Sequence, residues 1–328
     1  MHDRVLFVTE EMRSPSVRYR ALNYFPFLRE GGWEPRHLVA ERGWGARLSM
    51  LRQVRRADVV VVTRKTFHGL TRQALRAMAR RLVLDIDDAV FVRDDGSDSP
   101  TRRCRFAAMA RTCDAVWAGN DYLAQCAARC NASVTVLPTA VDPALYRDAR
   151  PAPDGGLVDL VWIGSGATRK YLAELTPVLR RLGQARQDVR LKIIADFDLD
   201  VAPLRTGAVP WSAATEIDEL ASAHIGLAPM PDDAWTRGKC GLKVLQYMMA
   251  RLPVVSSDAG VHRTMVAHQE TGLLVNQPEE WLAAITRLAD NAALRRAMGD
   301  AGRRRALANY ALPVLAKRMR DALESLRG

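Results

Sequence analysis

Cysteine is scarce in this sequence and irregular where it occurs: five residues, at 104, 113, 126, 130 and 240, an odd number with no repeated spacing. A disulfide framework and the paired knuckles of a zinc site both need regular, even-numbered cysteines, so neither is expected. Cys126 and Cys130, four apart, suit the packed face of a helix. Histidine is equally uninformative, because His68, His224, His262 and His268 show no H-E-x-x-H spacing and read as structural or surface residues. Aromatic residues are 6% of the chain and do not interleave with the basic ones, as they do in nucleic-acid-binding modules; the arginines of RQALRAMARR (Arg72 to Arg81) stand singly on an amphipathic pattern. No nucleic-acid partner is therefore expected. Long apolar runs are missing as well. The N-terminal MHDRVLFVTEEM holds a five-residue run, VLFVT, too short for a signal-peptide core or a membrane span, and a cytoplasmic protein is expected.

What the chain does have is length and ordinary globular composition: 328 residues, 48% hydrophobic and 26% charged, enough for two domains that each bury a core. Its net charge is +11, unevenly divided. Residues 1–150 hold 25 Lys and Arg against 17 Asp and Glu, whereas residues 151–328 hold 23 against 20. Two readings of the basic half stand: solvated arginine-rich helix faces, or a surface that contacts an acidic membrane, which would make the protein membrane-associated.

Short β-branched runs alternate with longer helical patterns. VLFVT (Val5 to Thr9), VVVVT (Val59 to Thr63), LVLDI (Leu82 to Ile86), AVWAG (Ala115 to Gly119) and VTVLP (Val134 to Pro138) have the character of strands buried on both faces. Val17 to Glu30 and Leu70 to Arg80 carry helical periodicity between them, so the first half reads as a doubly wound α/β domain. RDARPAPDGGL (Arg147 to Leu157), rich in Pro, Gly and charge, marks a linker. The pattern then restarts with LVWIG (Leu160 to Gly164), LKIIA (Leu191 to Ala195), IGLAPM (Ile225 to Met230) and PVVSS (Pro253 to Ser257). The tail from Asn291 to Arg327 is helical in period and interrupted at Pro313. The expected layout is a Rossmann-like domain over 1–149, a second over 150–310 and a C-terminal helix over 311–328 that packs back on the first. Strand carboxyl ends of both domains would face one cleft, where ligands of such folds bind.

The segment from Asp232 to Val275 carries the most chemistry. Lys239 and the backbone around Cys240, Gly241 and Leu242 precede a helix expected from about Leu242 to Ala250, and exposed amides at a helix N-terminus favour phosphate. Lys243, one turn in, adds a second positive charge. DIDDA (Asp85 to Ala89) sets three carboxylates at the carboxyl end of a buried strand, a costly arrangement if they merely packed inside; Asp87 or Asp88 would orient an acceptor hydroxyl or accept its proton. In the first strand-to-helix loop, EEMRSPSVRYR, two readings remain: Ser14, Ser16, Arg18 and Arg20 bind an anion, or Ser16 caps the helix and the arginines are exposed.

LQYMMARLPVV followed by ETGLLV (Glu270 to Val275), with AGNDYLAQCAARCNASVTVLPTAVDPALY (Ala118 to Tyr146) upstream, resembles the retaining glycosyltransferases of the family 4, or group 1, type, in the branch that builds surface polysaccharides and lipopolysaccharides. The resemblance covers most of the chain. It implies the GT-B architecture, two Rossmann-like domains facing a central cleft, and transfer of a sugar from a nucleotide sugar to a glycan, lipid-linked or small-molecule acceptor. It also implies that no cofactor and no metal is needed, since lysines and helix N-termini offset the leaving diphosphate. By the same likeness the turn after LVWIG, Gly164 and Ser165 to Lys170, supplies basic residues to the diphosphate, with Lys170 the first choice and Arg169 the second. A charged helix start capped by Thr168 explains that turn equally well. Trp211 stands where the family holds the nucleotide base, the alternative being a core-packing tryptophan.

Two departures from the family pattern concern the donor. Its two motif glutamates correspond to Gly238 and Gln246 here, so the ribose contact falls to an amide and the sugar-facing carboxylate has no counterpart. The family's histidine near the acceptor corresponds to Asp87. Two other functions compete with glycosyl transfer. A nucleotide-sugar epimerase of the same fold would isomerise its donor without an acceptor, and a non-catalytic polyanion-binding protein would show salt-dependent binding and no affinity for nucleotide diphosphates.

Overall fold

The structure, a computed structural model, describes residues 3–10, 15–40, 43–149, 151–153 and 155–327. Ser14 in the first loop, and residues 150 and 154 of the expected linker, lie outside them. The chain divides into two compact units: Met1–Ala140, Asp233–Cys240 and Tyr310–Gly328 form the first, Val141–Asp232 and Gly241–Asn309 the second. The first unit thus ends its main run at Ala140, ahead of the Pro/Gly-rich stretch, and takes back both an internal segment and the tail.

In the first unit the order is β1 (Asp3–Thr9), α1 (Pro15–Arg20), α2 (Phe25–Glu30), β2 (Trp33–Val39), α3 (Trp44–Val54), β3 (Val59–Thr63), α4 (Gly69–Met78), β4 (Arg81–Ile86), α5 (Pro100–Thr112), β5 (Ala115–Ala118), α6 (Asp121–Ala128) and β6 (Val134–Val136). All six strands are parallel, in the order β2-β1-β3-β4-β5-β6, with Val5 opposite Val59 and Val59 opposite Arg81. Val5, Phe7, Val59 and Val61 face one core with Tyr24 and Trp33, while Leu6, Val8, Val60 and Val62 face the other with Met50 and Leu75. Burial of both faces is why these strands read as unbroken apolar runs.

The second unit runs β7 (Val158–Ile163), α7 (Arg169–Ala173), α8 (Thr176–Ala185), β8 (Val189–Ile194), β9 (Arg205–Val209), α9 (Glu216–Ala221), β10 (Ile225–Ala228), α10 (Leu242–Met249), β11 (Val254–Ser257), α11 (His262–Met265), β12 (Gly272–Val275), α12 (Pro278–Asp290) and α13 (Ala292–Tyr310). Its sheet is again parallel, in the order β12-β11-β10-β7-β8-β9. The last helix, α14 (Leu312–Glu324), carries Pro313 in its first turn, as the tail's pattern implies, and lays Leu312, Leu315, Met319 and Leu323 on the first unit's core beside Tyr24 and Trp33. The two-domain doubly wound α/β expectation holds.

Three strands escape the sequence reading, β2, β9 and β12, and each is the edge of its sheet. β2 and β9 are half solvated and lose the apolar run that betrays an interior strand, and β12 is buried but only four residues long; β2 even carries Pro35, tolerated only where one side needs no ladder bond. The helix expected over Val17 to Glu30 is broken into α1, a 3-10 turn (Leu22–Tyr24) and α2, because Pro26 fits only the first turn of a new helix. Cys126 lies in α6 and Cys130 two residues past its end; both are half-buried against the first unit's core.

Candidate functional site

Each sheet has one point where the strand order reverses, between β1 and β3 in the first unit and between β7 and β10 in the second, the place where sheets of this kind form a ligand crevice at the strands' carboxyl ends. In the second unit β7 leads through Gly164 into a 3-10 turn (Gly166–Thr168) and then α7. A Cβ at Gly164 would strike the Trp162 ring and the Thr168 hydroxyl, so the turn can close only on glycine. Thr168 Oγ1 accepts from Ser165 N at 3.3 Å and donates to Ser165 O at 3.1 Å, folding the turn on itself. Lys243 Nζ reaches the same hydroxyl, 3.2 Å away, and lies 4.5 Å from the centre of the Trp162 ring. One ammonium is thereby fixed between the turn after β7 and the first turn of α10.

That helix starts on Gly241, whose φ of 64° is left-handed and whose missing Cβ leaves room for the Met265 side chain. The first-turn amides of Leu242, Lys243 and Val244 have no intrahelical acceptor. Tyr247 OH accepts from Ile163 N and donates to Leu227 O, 3.1 Å each, tying β7 to β10 at the reversal point. Gln246 is buried on the same helix. Beneath them His262 is buried, and burial depresses its imidazole to about 4, with a backbone hydrogen bond at Ser257 opposing and the Lys243 charge adding. Lys170 is exposed, its ammonium 5.2 Å from the Tyr171 ring centre, while Arg169 donates to Asp198 O at 3.4 Å and stacks on Phe197. The basic group that this turn shares with α10 is therefore Lys243. Thr168 serves as its hydroxyl partner and makes no side-chain cap on α7.

Trp211, just beyond β9, is 51% exposed, which overturns the core-packing alternative. Its indole Nε1 donates to Glu216 Oε2 at 2.9 Å, holding the ring in place with a face to solvent. Also in this unit, a cavity of about 320 Å³ opens at the carboxyl ends of β10, β11 and β12, lined by Glu174, Met230, Asp232, Ser257, Asn276 and Trp281 among others.

The first unit's crevice is built differently. DIDDA does not act as three equivalent carboxylates. Asp85 points into the core, where it pairs in fork fashion with the equally buried Arg20, whose third nitrogen donates to Leu137 O at 2.5 Å. Burial raises the Asp85 carboxyl and the guanidinium opposes that rise. Arg20 is thus removed from anion binding, a correction to the loop reading, because a 1% exposed guanidinium committed to a buried carboxylate meets no solvent anion. Arg18 is half-buried on the Tyr19 ring. Ser16 neither caps a helix nor faces solvent: its Oγ donates to Asp87 Oδ2 at 2.6 Å and accepts from Arg64 Nη1 at 2.9 Å.

Arg64 is the functional residue the sequence reading misses. It follows β3 directly, at the reversal point, in the left-handed region with φ 62°, a conformation uncommon for a side-chain-bearing residue and often retained at functional sites. Besides Ser16 its guanidinium meets Asp88 Oδ2 at 2.7 Å and Asp87 Oδ1 at 3.6 Å. Lys239 Nζ takes the other Asp88 oxygen at 2.8 Å and sits 4.3 Å from the Trp235 ring centre. Burial pushes the Asp88 carboxyl up; Lys239 and Arg64 pull it back and Asp87 adds to the rise. Asp88 is the hub of the cluster, and Asp87 is left with a buried Oδ1 that accepts no hydrogen bond. A basic residue right after VVVVT was the available signal for Arg64.

Lys239 and Cys240 belong to this first-unit cluster, whereas Lys243, Gly241 and Leu242 belong to the second unit. The Lys239 charge is matched by Asp88. The Asp233–Cys240 segment is held by Asn120, which caps α6 through Oδ1 and donates from Nδ2 to Arg237 O at 3.0 Å and Lys239 O at 2.9 Å. Cys240 Sγ donates to Asp87 O at 3.2 Å, and burial holds its thiol protonated. A Cβ on Gly119 would collide with that sulfur, and one on Gly238 with Ala89. Gly238, the counterpart of a family glutamate, is thus glycine because the backbone of another strand end passes against it. Among the described residues no group of three or more His, Cys, Asp and Glu side chains has the geometry of a metal site.

Residues 159–291 match the family described as "Glycosyl transferases group 1". No curated protein matches the sequence. Solved structures match throughout: the chain is similar to a glycosyltransferase from Rickettsia africae (11% identity, 99% of this chain and 98% of that one, TM-score 0.77). It is similar to Anabaena HepE in complex with UDP and glucose (12%, 99% and 100%, 0.75) and to sucrose-phosphate synthase from Thermosynechococcus elongatus (14%, 99% and 99%, 0.75). At such identities these structures establish the GT-B fold, and the family match supplies the activity. Residues 159–291 match the group 1 glycosyltransferases, and the chain is a glycosyltransferase of GT-B fold.

Proposed function

We propose that the chain transfers a glycosyl group from a nucleoside-diphosphate sugar with retention of configuration and without a metal, and that the second unit's crevice holds the donor. One observation carries this reading: Lys243 Nζ stands on the Thr168 hydroxyl, between the glycine turn after β7 and the amides that open α10. A diphosphate there meets a cation and a helix N-terminus together. Gln246 takes the ribose and the exposed face of Trp211 the base; Lys170 is close enough in sequence to Thr168 to add charge at the turn's rim. UDP is the first base to try, since Anabaena HepE was solved with it.

In a retaining transfer the acceptor oxygen bonds to the anomeric carbon on the face from which the phosphate oxygen departs. The acceptor proton passes to that departing oxygen, so no enzymatic nucleophile is required. Lys243 and the α10 N-terminus offset the charge that develops on the diphosphate. On the first unit, Asp87 orients the acceptor hydroxyl, while Ser16 and Arg64 hold the carboxylate in place and Asp88 holds Arg64. The acceptor is a glycan or a lipid-linked sugar, and peripheral contact with an acidic membrane surface suits the latter. Thermal-shift screening against UDP, GDP and their sugars, followed by transfer assays with EDTA, tests the reading. A shift of several degrees with one nucleotide and full turnover in EDTA are expected; activity lost to EDTA and restored by Mg or Mn contradicts the metal-free part.

A further inference from the structure

The basic excess of the first unit is concentrated in two helices and the turns around them. Between Gly43 and Ala57 the sequence holds four arginines, and between Arg64 and Arg81 five arginines and a lysine, with no aspartate or glutamate in either stretch. Several of these cations are engaged: Arg64 with Asp87 and Asp88, Lys65 with Glu10, Arg76 with Asp114 and Arg80 with Asp58. Arg47, Arg52, Arg55, Arg56 and Arg72 make no ion pair among the described residues.

The same two helices leave large apolar side chains in water. Met50 and Val54 of α3 and Leu75 of α4 are buried in the core, so both helices already have their packing face. Trp44 is nevertheless 78% exposed, Leu48 55% and Leu70 82%. Single exposed leucines are ordinary; a tryptophan and two leucines at the starts of two neighbouring helices are not. Trp44 and Leu48 are four apart and share a face of α3, and Arg52, four further on, continues the stripe. Because α3 follows β2 and α4 follows β3, in a parallel sheet, both helices begin at the same edge of the unit, and they pack side by side. Arg47 lies 6.0 Å from the centre of the Trp44 ring, so cation and indole occupy one patch.

We propose that the exposed face of α3 and the N-terminal end of α4 form a membrane-docking surface for an anionic bilayer, in which Trp44, Leu48 and Leu70 enter the headgroup region and Arg47, Arg52 and Arg72 meet lipid phosphates. Indole is suited to that layer by its apolar ring and polar edge, and weak apolar insertion with a cluster of cations is the combination that holds a protein reversibly on acidic lipid. The absence of acidic residues from both stretches is the charge complementarity that selects this partner. The proposal deepens the membrane-contact reading by naming its surface, and rests on that reading; it needs neither the donor site nor the acceptor chemistry.

The full-length protein is sedimented with large unilamellar vesicles of phosphatidylcholine alone and of phosphatidylcholine with 30% phosphatidylglycerol by design, ~0.1 M salt, where surface charges are screened beyond about 10 Å. Binding to the anionic vesicles only, weakening as salt rises, is expected. Trp44→Ala/Leu70→Ala should lower the partition coefficient about tenfold or more, and Arg47→Gln/Arg52→Gln by about 25-fold, at about fivefold per cation. All four positions are exposed, and unchanged melting curves with unchanged nucleotide affinity confirm that the variants fold. Wild-type protein that ignores anionic vesicles overturns the surface and the membrane-contact reading together. Binding that survives both double variants overturns the surface alone. Self-association lost in Trp44→Ala/Leu70→Ala, without vesicle binding, would assign the patch to a second copy of the chain and overturn the lipid proposal.

Discussion

Two crevices at equivalent points of two similar sheets are built from different polar groups. In the first unit, charges of both signs are locked together: Asp88 between Lys239 and Arg64, Asp87 between Ser16 and Arg64, and Asp85 under them on Arg20. In the second, the crevice offers cation and dipole: Lys243 on a hydroxyl and an indole ring, a glycine turn and the start of α10. A site balanced in charge suits a neutral hydroxyl that must be oriented; a site with cation and amides suits a diphosphate.

The strongest way to break the first crevice is from below. Arg20→Ala leaves Asp85 charged and buried without its partner and should destabilise the first unit by about 3–5 kcal/mol, read as a lower urea midpoint. Lys243→Ala in the second unit should leave that midpoint in place. Equal destabilisation by both would erase the distinction between a structural and a ligand-directed cation.

The second crevice rests on a neutral histidine, and pH exposes it. His262 sits at about 4 in the folded chain against 6.5 when unfolded, so between those values the unfolded chain binds the extra proton. The stability that goes with a neutral His262 is intact above pH 6.5 and lost as pH falls toward 4, about 3 kcal/mol in all. Comparing urea unfolding of wild type and His262→Gln at pH 7 and pH 5 isolates this part. The variant should lose less stability on acidification; parallel losses would mean that the imidazole is charged in place.

Smaller effects separate the two sites by function. Lys243→Ala should weaken nucleotide-diphosphate binding about tenfold to a hundredfold, the loss of one charge-assisted hydrogen bond of about 1.5–3 kcal/mol. Asp87→Asn keeps shape and removes charge, and should lower turnover by about tenfold while the donor KM stays near its wild-type value. Asp88→Asn serves as the contrast, because Asp88 holds Arg64 and Lys239: a lower melting temperature should accompany any loss of rate there. Should Asp87→Asn only melt earlier, with full turnover, its carboxylate is a structural brace.

Interior strands and the α10 start were legible in the sequence because their causes are local: burial on both faces leaves an apolar run, and a helix opening on glycine with lysines leaves a punctuated one. β2 and β9 were not, since half-solvated strands impose no such pattern, and β12 is too short to mark itself. Asp87, Asp88 and Lys243 were found at their strand and helix ends, but the partners that give them meaning were not. Arg64 lies 23 residues from Asp87, Thr168 75 residues from Lys243, and Lys239 151 from Asp88, separations that only the folded sheets close. Lys239, expected at the donor beside Lys243, makes its ion pair with Asp88. Arg20 shows the converse error: an arginine in a polar loop resembles an anion ligand until the carboxylate under it, 65 residues away, is known.

Calorimetric titration of UDP and GDP into wild type, Lys243→Ala and Asp87→Asn tests the division of labour most directly. The account predicts that one nucleotide binds the wild type, that Lys243→Ala weakens it by at least about tenfold, and that Asp87→Asn leaves it unchanged. A wild type that binds neither nucleotide, or an Asp87→Asn variant that loses as much affinity as Lys243→Ala, would contradict it.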